Sequence, residues 1–390
     1  MDPALQPTIR WRPRRRFELP GSGGAWVLST ALCVVLATAV AVGARQPAEA
    51  TLALGGLDPV LLVEGRETQG DPLLSTVHEG LVYRFDSDRT RRAFAADPGR
   101  YAAQLGGACA RMGPGVEGDP ELFALHQGRI YLFGTEQCRE AFGEHPERYL
   151  LPPLPPLEPS RDDLRAAREL LEKAEGSLSK KPLRRLEGYR VVGVVERGGR
   201  STGFELWLSL GGGVWRKQMV GDDLRIESWN GATGVAAGPE GEVPLRATER
   251  IALTDEALRF DALTVLGGLD LAKLTATVEE PEEPGSTRLV RLELPSGSAA
   301  VAGGQVVLEV DRHSGRVVSL RFRGRGPGGR AGWITRRFED FRSTAGLFVP
   351  FRREDVFEGS DQPFEVTRIE SIEIRALDPS LLEASVGGAR

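Results

Sequence analysis

Few side chains in this chain of 390 residues are equipped for chemistry at neutral pH. Cysteine occurs at Cys33, Cys109 and Cys138, and histidine at His78, His126, His145 and His313. Thiolate and imidazole are the donors a soft metal prefers, so Cys109, Cys138 and His126 form a candidate metal set. The spacing does not specify one, because no Cys-x-x-Cys occurs. Two cysteines in an exported chain more simply suit one disulfide or two small buried thiols, and redox chemistry is a third use. The histidines also read structurally: His78 and His126 fall in hairpin turns, His145 precedes a proline, and His313 lies in a tight turn. Nucleophile elbow, Walker loop and zinc-hydrolase helix are all missing from the sequence. The expectation is therefore a non-enzymatic protein with no cofactor beyond a metal ion.

A second set of residues suits binding. Trp207, Trp215, Trp229 and Trp333 fall on predicted strands and are candidate walls of an apolar ligand pocket. Tryptophans also simply fill β cores. The Gly211-Gly212-Gly213 and Gly326-Pro327-Gly328-Gly329 runs lack the strand-to-helix setting of a phosphate loop and read as turns. A net charge of −5, with no basic patch beyond the N-terminus, excludes a nucleic-acid partner.

The elements around the cysteines are duplicated. Gly70–Tyr101 and Gly118–Tyr149 align without a gap when shifted by 48 positions. Gly70-Asp71-Pro72 matches Gly118-Asp119-Pro120, Tyr83 and Phe85 match Tyr131 and Phe133, and Pro98, Arg100 and Tyr101 match Pro146, Arg148 and Tyr149. Each copy predicts a β-hairpin turning at His-x-Gly. A helix follows, capped by Ser87 or Thr135 and stopped before Pro98 or Pro146. Both cysteines beyond Cys33 belong to the second copy. Asp58 stands where Cys109 stands, and Thr90 where Cys138 stands.

These motifs resemble the YHS domain family, over roughly residues 54–150. The resemblance rests on Gly56-Leu57-Asp58-Pro59-Val60, the hairpin His78-Glu79-Gly80-Leu81-Val82-Tyr83-Arg84-Phe85, and the ending Asp97-Pro98-Gly99-Arg100-Tyr101 with its second copy. It implies a small α+β fold, and some members are thought to bind metal through paired cysteines. The first copy departs from that pattern by carrying Asp58.

The N-terminus sets the expected address. Arg10, Arg12, Arg14, Arg15 and Arg16 precede an uncharged run, Ala25–Ala44, which as a helix would rise about 30 Å. Residues 1–24 are expected in the cytoplasm and residues 25–44 in the membrane, as an anchor or as a signal cleaved near Ala48-Glu49-Ala50. The rest would lie on the periplasmic side of a bacterial envelope, anchored or secreted. Residues 52–150 form the tandem unit, and residues 151–159, rich in proline, form a semi-rigid spacer.

Residues 160–385 predict an N-capped helix from Ser160, ended by Gly176 and Pro182. Successive strands follow, interrupted by a helical insertion around Asp255–Lys273. Such a meander with a packed helix predicts a curved antiparallel sheet. It resembles the lipoprotein-carrier (LolA/LolB-type) half-barrel family, on Phe338-Glu339-Asp340-Phe341-Arg342, Ala345-Gly346-Leu347-Phe348-Val349-Pro350-Phe351-Arg352, the Val310–Val317 turn and Leu377-Asp378-Pro379-Ser380-Leu381-Leu382. The resemblance implies uptake of a lipid or other apolar ligand. The expected fold class is thus α+β, a small duplicated hairpin–helix domain plus a half-barrel. Expected partners are the membrane through the N-terminal segment, a lipid or other apolar ligand, or, for a structural or regulatory interaction module, a protein contacting the half-barrel.

Overall fold

A computed structural model describes residues 51–381, apart from 153, 211–212, 221–222, 240, 259, 270, 282–284, 295–303 and 379–380. The basic segment 1–24 and the apolar segment 25–44 lie outside the described residues. Among the described residues no helix is long and apolar enough to cross a membrane.

The first copy comprises β1 (Thr51–Leu52), α1 (Pro59–Val63), β2 (Asp71–His78), β3 (Leu81–Phe85), α2 (Asp88–Ala96) and α3 (Pro98–Tyr101). The second comprises β4 (Asp119–His126), β5 (Arg129–Phe133) and α4 (Glu136–Glu144), ending in a 3-10 turn at Pro146–Arg148. The His-x-Gly signal is explained by its dihedrals. Glu79 and Gly80, and likewise Gln127 and Gly128, all have positive φ, the pattern of the tight turn that matches strand twist. Ser87 and Thr135 accept the backbone N–H of Thr90 and Cys138, so each helix starts where its cap residue dictates.

The copies share their core unequally. Tyr83, Phe85 and Phe94 pack together in the first, as Tyr131, Phe133 and Phe142 do in the second. The opposite face of β5 carries Ile130 and Leu132, which complete the core of the first copy. β5 is therefore buried on both faces, and neither copy closes a core alone.

The remaining chain is α5 (Arg161–Leu178), β6 (Gly188–Arg197), β7 (Arg200–Ser209), β8 (Val214–Val220), β9 (Asp223–Trp229), β10 (Gly234–Gly238), β11 (Gly241–Pro244), α6 (Ala247–Leu258), α7 (Ala262–Gly267), β12 (Ala276–Glu279), β13 (Thr287–Glu293), β14 (Gln305–Asp311), β15 (Val317–Arg325), β16 (Ala331–Thr344), β17 (Leu347–Phe357) and β18 (Pro363–Ile374). Thirteen strands form one antiparallel sheet in the order β11-β10-β9-β8-β7-β6-β18-β17-β16-β15-β14-β13-β12. It does not close, because β11 and β12 are not paired to each other.

The sheet is strongly curved. α5 packs against both β12 and β17, five strand steps apart. On a flat sheet that separation would be about 24 Å, more than twice a helix diameter of about 10 Å. The concave face therefore wraps α5, whose Ala167, Leu171, Ala174 and Leu178 are buried against it. Leu263, Val265 and Leu266 of α7 fill the adjoining part. A buried polar group fixes α7. Asp261 caps its first turn, accepts the Tyr189 hydroxyl at 3.0 Å and pairs with Arg353 at 3.2 Å.

Two expectations are corrected in detail. α5 continues through Gly176 to Leu178, because the glycine is exposed while Leu178 is buried. That burial is worth roughly 1.5–3 kcal/mol, against roughly 1 kcal/mol for a helical glycine. The helical insertion begins at Ala247, ahead of Asp255, with Glu249 holding the Arg246 N–H at 3.0 Å.

Candidate functional site

The two thiols meet inside the second copy. Cys109 follows the turn at Gln104–Gly107, whose counterpart in the first copy is Ala53–Gly56. Leu54 and Leu105 share a φ near +59°, so the two turns superpose in conformation. In the first copy the turn delivers Asp58, whose carboxylate accepts N–H groups from Val60 at 2.9 Å, Leu61 at 3.1 Å and Asp86 at 2.7 Å. In the second copy the Cys109 sulfur accepts from the corresponding Arg111, Met112 and Gly134. Cys138 occupies the third position of α4, its N–H bonded to the Thr135 hydroxyl at 3.2 Å.

Both cysteines are buried and unbridged, and both lie in the small core of the second copy with Phe133 and Phe142. The Arg111 guanidinium lies 4.0 Å from the Cys138 sulfur. Burial pushes the Cys109 thiol up. Burial also raises Cys138, but hydrogen bonds from Thr135, Cys109 and Arg111 outweigh it and hold that thiol below its ordinary value.

His126 does not join the pair. No group of three His, Cys, Asp or Glu side chains able to hold a metal occurs among the described residues. Its buried ring packs edge-on against Phe142 at 5.8 Å, and its Nδ1 has no hydrogen-bond partner. Burial lowers its pKa, opposed by the Glu147 charge. His78 repeats the packing on Phe94 at 5.7 Å. The shared histidine thus belongs to the hairpin and its ring stack.

The four tryptophans are dispersed. Trp207 and Trp215 face each other across β7 and β8, on the side opposite the core residues Leu206 and Val214. The Trp207 indole N–H donates to Glu205 at 2.9 Å, and Arg190 and Arg375 lie over its ring. Trp229 packs onto the inner core beneath Arg250. Trp333 is flanked by Arg291 and Arg321.

The large opening is elsewhere, between the tandem unit and one end of the half-barrel, with a volume of about 1850 Å³. None of the four tryptophans lines it, whereas His126 and Tyr131 do. Apolar walls come from Met112, Val116, Leu151, Phe322, Ile334 and Phe364. Arg336 and Asp355, paired across β16 and β17 at 2.7 and 2.6 Å, form a neutralised floor. Burial and the neighbouring Asp355 charge raise the Glu365 carboxyl. Arg325 is different. Its hydrogen bonds go to the Gly329 and Arg111 carbonyls, and among the described residues it pairs with no carboxylate. Burial pushes its guanidinium down to about 10, so it remains charged at neutral pH.

The junction beside this cleft is close-fitting. Gly113 has φ +83°, and a Cβ there would lie 2.8 Å from the Arg325 side chain. Gly329 has φ +79°, and a Cβ there would strike the Arg111 carbonyl. Gly106 rests on Ala247 and Ile251 of α6, and Arg246 and Arg250 pair with Glu117 and Glu79. The linker is held too. Arg323 bonds the Pro152 carbonyl, Gln305 the Pro155 carbonyl at 2.8 Å, and Glu293 the Leu157 N–H at 2.6 Å.

Sequence reasoning passed over Arg325, Arg336 and Asp355. The one available signal was the Gly326-Pro327-Gly328-Gly329 run, which is a turn as expected but also a docking point for the tandem unit.

No protein-family model and no curated protein matches the chain. Among solved structures, it is similar to a LolA superfamily protein from Nitrosomonas europaea at 14% identity, covering 55% of this chain and 96% of that one, with a TM-score of 0.40. A DUF1329 family protein from Desulfovibrio piger is similar at 9% identity, over 56% and 97% of the two chains, with a TM-score of 0.37. LprF from Mycobacterium bovis is similar at 10% identity, over 55% and 97%, with a TM-score of 0.25.

Proposed function

We propose that the chain is a non-catalytic envelope protein of the LolA type that holds an amphiphile, an apolar chain bearing an anionic head, in the cleft between its tandem unit and its half-barrel. The observation that carries this reading is Arg325, a charged guanidinium that pairs with no carboxylate among the described residues, in a cleft that also offers apolar walls from Phe322, Ile334 and Phe364. An acidic head group would supply the missing partner, and charge-assisted pairing to Arg is the strong form of that contact. Phe322, Ile334 and Phe364 would receive the chain. The centre of the half-barrel is occupied by α5 and α7, which favours the end cleft over a site around the four tryptophans.

The test is fluorescence titration of the full chain with cis-parinaric acid, a fluorescent fatty acid. Saturable binding is expected, weakened about tenfold in Arg325→Gln and less in Arg325→Lys, which keeps the charge. Absence of saturable binding, or equal binding by all three proteins, would overturn the assignment.

A further inference from the structure

The duplication provides an internal reference for the thiols. In the first copy, the nest of three N–H groups holds Asp58 and starts α1, while Thr90 completes the capping box of Ser87. Those residues satisfy backbone and do nothing more. In the second copy both positions are cysteine, and residues 110–116 form no helix. The helix is absent there, and the two cysteines share one small buried core. Val60 has also become Arg111, whose cation sits beside the Cys138 sulfur and whose Nε has no hydrogen-bond partner. Donors and a cation around a sulfur stabilise a thiolate, the reactive form.

We propose that Cys109 and Cys138 are a redox-active dithiol that closes to a disulfide by exchange with a disulfide-bearing oxidant, Cys138 attacking and Cys109 resolving. Accessibility sets the order. Cys138 is 7% exposed, in the first turn of α4 among the exposed Thr135, Glu136 and Gln137, whereas Cys109 is 0% exposed. The Cys138 thiolate attacks one sulfur of the oxidant R–S–S–R. A mixed disulfide forms, and the first RS⁻ leaves and takes up the proton Cys138 released. The Cys109 thiolate then attacks the Cys138 sulfur, and the second RS⁻ leaves with the other proton. Two protein thiols are oxidised and one disulfide is reduced to two thiols. The backbone N–H groups around Cys109 offset part of the burial that pushes its thiol up, so they favour the thiolate that forms as its proton passes to the leaving RS⁻.

The experiment uses the full chain carrying Cys33→Ala, equilibrated in glutathione buffers of stepped redox ratio, alkylated and mapped by peptide mass spectrometry. A peptide pair linked through Cys109 and Cys138 is expected, titrating as a single two-electron transition. In Cys109→Ser, Cys138 should accumulate as the glutathione mixed disulfide. In Cys138→Ser, Cys109 should react at least tenfold more slowly. Two free thiols at every ratio in the otherwise native chain would overturn the pairing without reliance on either serine variant. Equal rates for the two single variants would overturn the assigned order.

Discussion

The two copies share a backbone plan yet live in different surroundings, and the difference shows what each position is for. The first copy turns β2 to solvent, with Leu73 90% and Val77 63% exposed. In the second copy the matching positions are Glu121 and the partly buried Leu125. Gly55 has open space where a side chain would go, whereas Gly106 at the same place in the turn abuts α6. The second copy carries most of the junction with the half-barrel, whereas the first meets it through Glu79 at its hairpin turn. Residues common to both serve the fold; residues private to the second serve the junction, the cleft or the thiol pair.

The contrast is sharpest at Asp58 and Cys109. Asp58→Ala would strip a charged acceptor from three N–H groups, two of them buried, at roughly 2–4 kcal/mol, with a matching fall in the denaturant midpoint. Cys109→Ala in the reduced protein would cost about 1–2 kcal/mol, since a thiol is the weaker acceptor. Equal costs would erase the distinction between a structural and a reactive occupant of the nest.

A smaller effect is expected from paired glycine substitutions. Gly55→Ala and Gly106→Ala both place a Cβ at φ near +60°, costing roughly 1–2 kcal/mol each. Only Gly106→Ala also presses on Ala247 and Ile251, so only it should speed proteolysis at the junction. Identical cleavage patterns would show that the turn does not carry the docking.

Acid should separate the copies further. His126 has a lowered pKa because burial disfavours its charged form, with Glu147 opposing. The unfolded chain therefore binds the extra proton more readily. Stability from this group is full above about pH 6.5, the unfolded value, and is lost as pH falls through it toward the folded value. His126→Gln should flatten the thermal-denaturation profile between pH 7 and 5, and an unchanged slope would place the titrating group elsewhere. Smallest of all, Leu73→Glu copies the residue of the second copy onto the first and should shift stability by less than about 0.5 kcal/mol. A large loss would mean β2 is covered in solution.

Local signals were the legible part of this sequence. Ser87, Thr135 and Ser160 mark helix starts because capping is decided within four residues. The hairpin turns declare themselves through the glycine that positive φ demands. β10 and β11 did not, since Gly-Val-Ala-Ala-Gly and Gly-Glu-Val-Pro have little strand character and are held by pairing to β9. The cleft was illegible for a deeper reason. It is formed by Arg325 and Met112, more than two hundred residues apart, and no periodicity within one element reports a surface made by two. The meeting of Cys109 with Cys138 could have been inferred from the alignment of copies, but only with the fold in hand.

The proline segment has a mechanical consequence. A chain tied to the sheet at Pro152, Pro155 and Leu157 acts as a strut rather than a tether. With the glycine contacts at its far end, it sets the distance between the two walls of the cleft. For an amphiphile of the kind proposed, such a cleft would act as a fixed gauge, rejecting by chain girth what a hinged pair of jaws would close upon.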